Sequence, residues 1–172
     1  MKLLHFAVLS VLTFERVALA AAAPDRAHVL EAARDVMEKA RYCTLITLHA
    51  GQPQARIVDP FEPDETMTIW MATHRLTRKV GEIRRNPRVT LHYFDTTRMA
   101  QVTLVGRAKI VDDPDEKKKR WKADWKPFYQ DENRGSDYLL IRFTPQRLEI
   151  FSEPHELRND PVNWRPVTIT FP

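Results

Sequence analysis

Apolar residues follow a helical period near the start of the chain and a strand-like alternation over most of the remainder. After Asp25, a residue type that favours helix N-caps, they recur at three- and four-residue intervals up to Ala40. This spacing predicts a helix with one apolar face that packs on a sheet. The apolar positions are Val29, Leu30, Ala33, Val36, Met37 and Ala40.

Short runs of β-branched and aromatic residues predict about seven strands. The first two form a hairpin over residues 43–58, with a turn at residues 51–53. Later strands are predicted over TMTIWMAT, RVTLHYF, MAQVTLVGRAKIV, DYLLIRF and RLEIFS. Gly106 should bend or bulge the longest of these, and the last two should form a hairpin around residues 144–145. With two or three helices, the pattern predicts a mainly β (β-rich α+β) barrel or sandwich.

Length and composition indicate one domain with a mixed surface. The chain has 172 residues, 43% of them hydrophobic, and no internal repeat. A net charge of +4 permits an acidic partner, but 27 basic and 23 acidic residues do not single one out. Cys43 is the only cysteine, which excludes an internal disulfide and a cysteine-based zinc site. We expect Cys43 to be a small buried apolar residue.

The first twenty residues predict a signal peptide. Lys2 precedes an apolar run over residues 3–14, and Ala18-Leu19-Ala20 is typical of a cleavage site. The run is shorter than the ~20 apolar residues that span a bilayer as a helix, so no membrane span is expected after cleavage. The prediction is a periplasmic or secreted protein with a barrel domain over residues 24–152 and a C-terminal extension over 153–172. Since Glu15 interrupts the pattern, a buried N-terminal helix in a cytoplasmic protein is the alternative.

Hydroxyls and cations cluster in the segment ATHRLTRKVGEIRRNP. A strand should end near Thr73, and a helix should run from about Thr77 until Asn86-Pro87 stops it. Arg78 and Lys79 then lie at a helix N-terminus, where free N–H groups and the helix dipole favour a phosphate. The alternative is a solvated basic helix face, with Glu82 close to Lys79.

The histidines and the lysine-rich segment contain residue types that occur in metal sites and in nucleic-acid-binding sites. The six histidines show no close pair at metal-ligand spacing, so no metal site is predicted. The segment DEKKKRWKADWKPFY interleaves cations with Trp121 and Trp125, a pattern that occurs in single-stranded nucleic-acid binders. We favour a helix with one solvated face and two anchoring tryptophans, and expect no nucleic-acid partner.

The ordered segments ARIV and ATHRLTRK, followed by Gln101 within a strand, resemble the pyridoxamine 5′-phosphate oxidase-like FMN-binding split barrels. IRRNPRVTL and DYLLIRFTPQRLE resemble the general-stress-protein branch of that superfamily, and the likeness covers roughly residues 27–152. It implies an antiparallel split β-barrel with two or three flanking helices, FMN as cofactor, and a homodimer with the flavin at the subunit interface.

The resemblance also implies a role for each matching residue. Three cations and Thr77 would hold the FMN phosphate, two backbone segments would line the flavin, and Gln101 would reach a polar edge of the isoalloxazine. The phosphate cations are Arg56, Arg78 and Lys79, and the residues along the ring or ribityl chain are Ile57, Val58, Ala72 and Thr73.

The sequence departs from the oxidase proper at three places. Asp59-Pro60-Phe61 replaces a further basic residue, Phe151 replaces a tryptophan, and HELRND only faintly resembles the late arginine–histidine substrate motif. Pyridoxamine 5′-phosphate oxidation itself is therefore not expected. The prediction is an FMN-dependent oxidoreductase acting on an unidentified small molecule, with no catalytic residue assigned. The alternatives are a non-catalytic flavin-binding or storage protein, or a split barrel that uses haem or a deazaflavin coenzyme.

Overall fold

Seven strands and three α-helices form the part of the chain that the computed structural model describes, residues 24–129 and 135–172. The helices are α1 (Arg26–Ala40), α2 (Arg78–Arg85) and α3 (Pro114–Lys119). The strands are β1 (Cys43–His49), β2 (Gln52–Val58), β3 (Ile69–His74), β4 (Arg88–Asp95), β5 (Ala100–Val111), β6 (Tyr138–Ser152) and β7 (Val167–Thr170). Two 3₁₀ turns cover Ala123–Phe128 and Glu153–His155. The predicted signal peptide lies outside the described residues.

All strand pairs in the sheet are antiparallel, in the order β2-β1-β4-β5-β6-β3, with β7 paired to β6. The predicted β-rich fold is thus confirmed. The segment 153–172, predicted as an extension, supplies β7 to this sheet. Among the described residues, no helix combines the length and apolar character needed to cross a bilayer.

Helix α1 covers one face of the sheet, as its period predicted. Val29, Val36 and Met37 are buried in the main core, and the helix packs against β4 and β5. Asp25 occupies the N-cap position but its side chain makes no capping hydrogen bond. The helix is therefore held by burial of its apolar face rather than by its cap.

The predicted hairpin around residues 144–145 is wrong, because β6 runs unbroken from Tyr138 to Ser152. From Leu140 to Ser152 it pairs with β5, and the register shifts between Val105 and Gly106, where one extra residue of β6 forms a bulge. A Cβ on Gly106 would lie 2.2 Å from the Thr144 carbonyl oxygen, so only glycine fits. Pro145 is tolerated in the strand since it lies at this bulge.

Two other predictions need correction. The β1–β2 turn lies one residue earlier than predicted, with Ala50 and Gly51 at its centre and both at positive φ. The lysine-rich segment forms two short helical pieces rather than one helix. Its tryptophans do act as anchors, since Trp125 is buried and Trp121 packs against the same aromatic cluster. The cluster consists of Trp70, Trp121, Trp125, Tyr129 and Tyr138 with Phe61.

Candidate functional site

The junction between β3 and α2 leaves the N-terminus of α2 without a side-chain cap. Thr77 holds the N-cap position in an extended conformation, and its hydroxyl donates to the His74 carbonyl at 2.9 Å instead of to the helix. The Thr73 hydroxyl lies 2.8 Å from that of Thr77. The first turn contains no acidic residue. This helix end therefore retains N–H groups and partial positive charge that can receive an anion.

Behind this junction, a buried carboxylate organises the predicted phosphate cation of β2. Glu82 is almost fully buried, and its Oε2 accepts hydrogen bonds from Arg56 at 2.7 Å and from the Thr47 hydroxyl at 2.6 Å. Arg56 also donates to the Thr47 oxygen at 2.5 Å. Burial raises the pKa of Glu82, but the Thr47 hydrogen bond and the Arg56 charge outweigh it and hold that pKa below 4.5. Glu82 is therefore ionised and fixes the position of Arg56.

Lys79 is the cation of α2 that faces the neighbouring groove. Burial lowers the pKa of Lys79 from 10.5, and the positive charge of Arg56 lowers it further, while Glu82 partly offsets both. Burial and the Arg56 charge both destabilise the protonated form of Lys79, and a nearby anion stabilises that form. Lys79 thus has the electrostatic character expected of a phosphate ligand.

A groove of about 540 Å³ opens beside this cluster. Apolar and aromatic side chains line most of it: Tyr42, Ile57, Val58, Ala72, Trp125, Phe128 and Tyr129. The polar groups at the α2 end are Thr73, His74, Thr77 and Lys79. Asp59 and Asp124 also line the groove, and each pairs with a cation, Asp59 with Lys122 and Asp124 with Arg41. An apolar slot with a few convergent polar groups is the usual form of a cofactor site.

The structure brings most of the predicted cofactor residues together. Six line the groove: Ile57, Val58, Ala72, Thr73, Thr77 and Lys79. Arg78 lines an adjoining recess that it shares with Thr77 and Glu82. Arg56 is bound to Glu82 immediately behind Lys79. Gln101 does not line the groove: it is an exposed residue of β5, opposite Phe94 and Phe151.

Sequence reasoning missed two parts of this site. The alternative interpretation placed Glu82 on a solvated face, whereas it is buried with Val80 and Ile83. Val80 and Ile83 share one side of α2 at a spacing of three residues, but Glu82 does not follow that spacing, so no local signal indicated its burial. Trp125, Phe128 and Tyr129 reach the groove from the lysine-rich segment, and no local sequence signal connects that segment with β3.

Other candidate sites have less support. A larger hollow of about 650 Å³ lies between α1 and residues 59–63, but none of the nine predicted cofactor residues lines it. Within residues 24–129 and 135–172, no group of histidine, cysteine and carboxylate side chains could hold a metal ion. Burial raises the pKa of Cys43 to about 12, so this thiol is not a reactive nucleophile and packs as the predicted apolar residue.

The pyridoxamine 5′-phosphate oxidase family model matches residues 29–151. With the antiparallel barrel and the groove at the start of α2, this match shows that the chain belongs to that family. No curated protein sequence matches the chain significantly.

Solved structures with the same fold include two general stress proteins. A protein related to general stress protein 26 from Clostridium acetobutylicum has a TM-score of 0.70 at 19% identity, covering 86% of this chain and 97% of its own. General stress protein 26 from Bacillus anthracis has a TM-score of 0.68 at 20% identity, with coverage of 84% and 99%.

A third similar structure is an FMN-binding protein related to pyridoxamine 5′-phosphate oxidase from Nostoc punctiforme. Its TM-score is 0.60 at 16% identity, and the match covers 88% of this chain and 98% of that one. At these identities the three structures establish the split-barrel fold, as predicted, together with the likeness to general stress proteins.

Proposed function

We propose that this protein binds FMN in the groove beside α2 and acts as a flavin-dependent oxidoreductase on a small molecule. The observation that carries the proposal is the uncapped N-terminus of α2, with Lys79 beside it, at the polar end of an apolar groove. A phosphate fits the polar end and a planar ring fits the apolar end. The FMN-binding relative from Nostoc punctiforme supports the same cofactor.

Each part of the groove has a separate task in this proposal. The N–H groups at the start of α2 and Lys79 receive the phosphate, and Arg78 adds charge from the adjoining recess. Thr77 joins them only if its hydroxyl turns away from the His74 carbonyl. The backbone of Ile57 and Val58 lines one side of the ring. FMN when bound supplies the redox chemistry, and the chain holds it and keeps water from it.

The same proposal includes a homodimer with the groove at its interface. Large apolar side chains at and beside the groove are exposed in the single chain: Ile57 by 67%, Leu76 by 85% and Phe128 by 72%. Exposed apolar surface of this kind is typical of a protein interface. Gln101, which does not line the groove of its own chain, would then serve the groove of the other protomer.

Export of the chain through its first twenty residues is a further part of the proposal, supported by the signal-peptide pattern alone. Mature protein should begin near Ala21 outside the cytoplasm. N-terminal sequencing checks this, and an intact Met1 on cytoplasmic protein would contradict it.

The cofactor proposal is tested by titrating the protein with FMN and with riboflavin and following the quenching of flavin fluorescence. FMN should bind more tightly, because riboflavin lacks the phosphate. Arg78→Ala with Lys79→Ala should weaken FMN binding by about 10²-fold or more while riboflavin affinity and the melting temperature change little, since each charge-assisted contact is worth about 1.5–3 kcal/mol.

The matched control is Lys39→Ala with Arg84→Ala, which removes two exposed cations that line neither the groove nor the adjoining recess. Equal FMN affinity of the two double variants would contradict the proposed phosphate site. Reduction of the bound flavin by a nicotinamide donor, followed by reoxidation with a substrate, then separates an oxidoreductase from a protein that only stores flavin.

A further inference from the structure

Four cations lie on the solvent side of the sheet, outside the candidate flavin groove. Arg88 of β4, Arg107 and Lys109 of β5, and Arg142 of β6 are all exposed, and we call these four residues the basic patch. Arg88 lies directly opposite Arg107, and Lys109 directly opposite Arg142. Like charges in directly opposed positions destabilise a sheet unless a counter-ion compensates them.

Within the described residues, no carboxylate forms an ion pair with a cation of the patch. The side chains of Arg107, Lys109 and Arg142 form no hydrogen bond there, and the Arg88 side chain bonds only to that of Asn86. Arg142 lies 6.0 Å from the Trp70 ring centroid. The patch is therefore an uncompensated concentration of charge rather than a network of surface ion pairs.

A hollow of about 640 Å³ borders the patch and contains both Lys109 and Arg142. Asp64, Asp113 and Glu116 also line it, but each carboxylate already has donors. Asp113 accepts from two N–H groups of α3, Asp64 from the Thr66 and Thr68 segment, and Glu116 from Arg120. Arg120 also lines the hollow, so its lining holds three cations and three carboxylates, and the excess of positive charge lies beside it, at Arg88 and Arg107. Among the described residues, Lys109 and Arg142 are the charged side chains of the lining that have no hydrogen-bond or ion-pair partner, so they are available to an anion.

The dimensions of the patch suit a compact polyanion. Neighbouring strands lie about 4.8 Å apart, and alternate residues of one strand lie about 6.8 Å apart. The Cα atoms of the four residues therefore span an area of about 10 by 7 Å. The nearby Trp70 ring is only 9% exposed and lies beneath the Arg120 guanidinium at 3.7 Å. Since no open aromatic ring is left there for a base to stack on, single-stranded nucleic acid is the poorer fit.

We propose that the basic patch is a second anion site, which binds the diphosphate or triphosphate group of a small molecule. Three or four negative charges then compensate cations that face each other across β4, β5 and β6. The site is independent of the candidate flavin groove, since it shares no residue with it.

The probe is inorganic tripolyphosphate, titrated calorimetrically against sulfate at equal ionic strength. Excess FMN is added to fill the groove. The titration is repeated on Arg78→Ala with Lys79→Ala, so that tripolyphosphate bound at the start of α2 is not attributed to the patch. The wild type should bind tripolyphosphate at least tenfold more tightly than sulfate. Lys109→Gln with Arg142→Gln should weaken tripolyphosphate binding about tenfold or more, since each charge-assisted contact is worth about that factor.

The control is Lys39→Gln with Arg158→Gln, which lowers the net charge equally but removes cations that already pair with Glu38 and Glu153. Its affinity should stay within about twofold of the wild type. If the first variant misfolds by circular dichroism, Arg88→Gln with Arg107→Gln tests the other half of the patch. Equal affinity of patch and control variants, or no preference for tripolyphosphate over sulfate, would overturn the proposal.

Discussion

The cations at the start of α2 and those of the basic patch differ in what holds them. At α2, buried Glu82 binds Arg56 at 2.7 Å, so this cation is positioned before a ligand arrives. On the sheet face, no described carboxylate holds Arg107 or Lys109. Preorganised charges recognise the shape of a ligand, whereas free ones respond mainly to its total charge.

Removing the Glu82 carboxylate should leave the Arg56 side chain without the partner that fixes its position. Glu82→Ala leaves Arg56 and Thr47 without their common acceptor. Breaking a buried pair costs about 3–5 kcal/mol, and because the Arg56 side chain remains 21% exposed we expect a loss of about 2–3 kcal/mol in the free energy of unfolding. Urea denaturation measures the loss. The control is Glu38→Ala, an exposed residue whose change should cost less than about 0.5 kcal/mol.

The pH dependence of stability gives the same experiment a second readout. Because the pKa of Glu82 is lower in the folded chain than its ordinary value of 4.5, its contribution is complete above that value and is lost as pH falls through the folded-state pKa. Glu82→Gln should therefore flatten the acid side of the stability curve. An unchanged acid limb would show that this carboxylate is not the group that holds Arg56.

The affinity for FMN should fall at alkaline pH through Lys79. Its pKa is lowered in the free protein, and a bound phosphate would raise it again. Binding therefore takes up a proton, and affinity should decline as pH rises through the free-state pKa, by at most about tenfold per pH unit. The decline should begin below pH 10.5. Riboflavin, titrated in parallel, should show no such decline, and equal slopes for the two ligands would contradict the assignment.

A smaller change tests the hydroxyl that connects the two charges at α2. Thr47→Val keeps the shape of a fully buried side chain but removes the donor to Glu82 and the acceptor for Arg56. We expect a loss of about 1–2 kcal/mol in unfolding free energy. Thr44→Val, a change of an outward residue of the same strand, serves as the reference in thermal unfolding. Equal effects of both changes would show that the Thr47 hydroxyl contributes nothing specific.

The smallest effect is expected on the sheet face, with the opposite sign. Arg107→Glu places a carboxylate opposite Arg88 and removes one repulsive pair, so stability should rise by about 0.5 kcal/mol at low salt. The gain should shrink as salt is added, because exposed charges are screened. A loss of stability at low salt would show that the patch is already compensated.

The sequence could reveal the elements because their patterns are local. The apolar period of α1 predicted a helix and its buried face, and the apolar runs of β4 and β5 predicted two strands. The hairpin predicted at Thr144-Pro145 is wrong because proline usually ends a strand, whereas here the opposite residue, Gly106, provides the space for a bulge. Gly106 lies 39 positions before Pro145 in the sequence, so no single segment of the chain reveals that the proline can be accommodated.

The residues of the candidate site could be predicted from the sequence, but most contacts between them could not. Short motifs indicated the cations and the groove residues, six of which line one groove. The pairing of Arg56 with Glu82 depends on how α2 packs on β1, which a local pattern does not specify. Gln101 lies outside the groove of its own chain, so the role that the resemblance implies for it depends on the proposed homodimer.

The continuous strand β6 also has a consequence for how local openings spread through the molecule. Its first half pairs with β3, which carries the groove, and residues 147–150 of its second half pair with β7, while β5 supports both. β7 has only four residues and a single neighbour, so fraying should begin there. When β7 detaches, β6 is still held by β5, and the groove wall remains assembled. The amide protons of β7 should therefore exchange with solvent without any opening of the groove, which hydrogen exchange followed strand by strand measures.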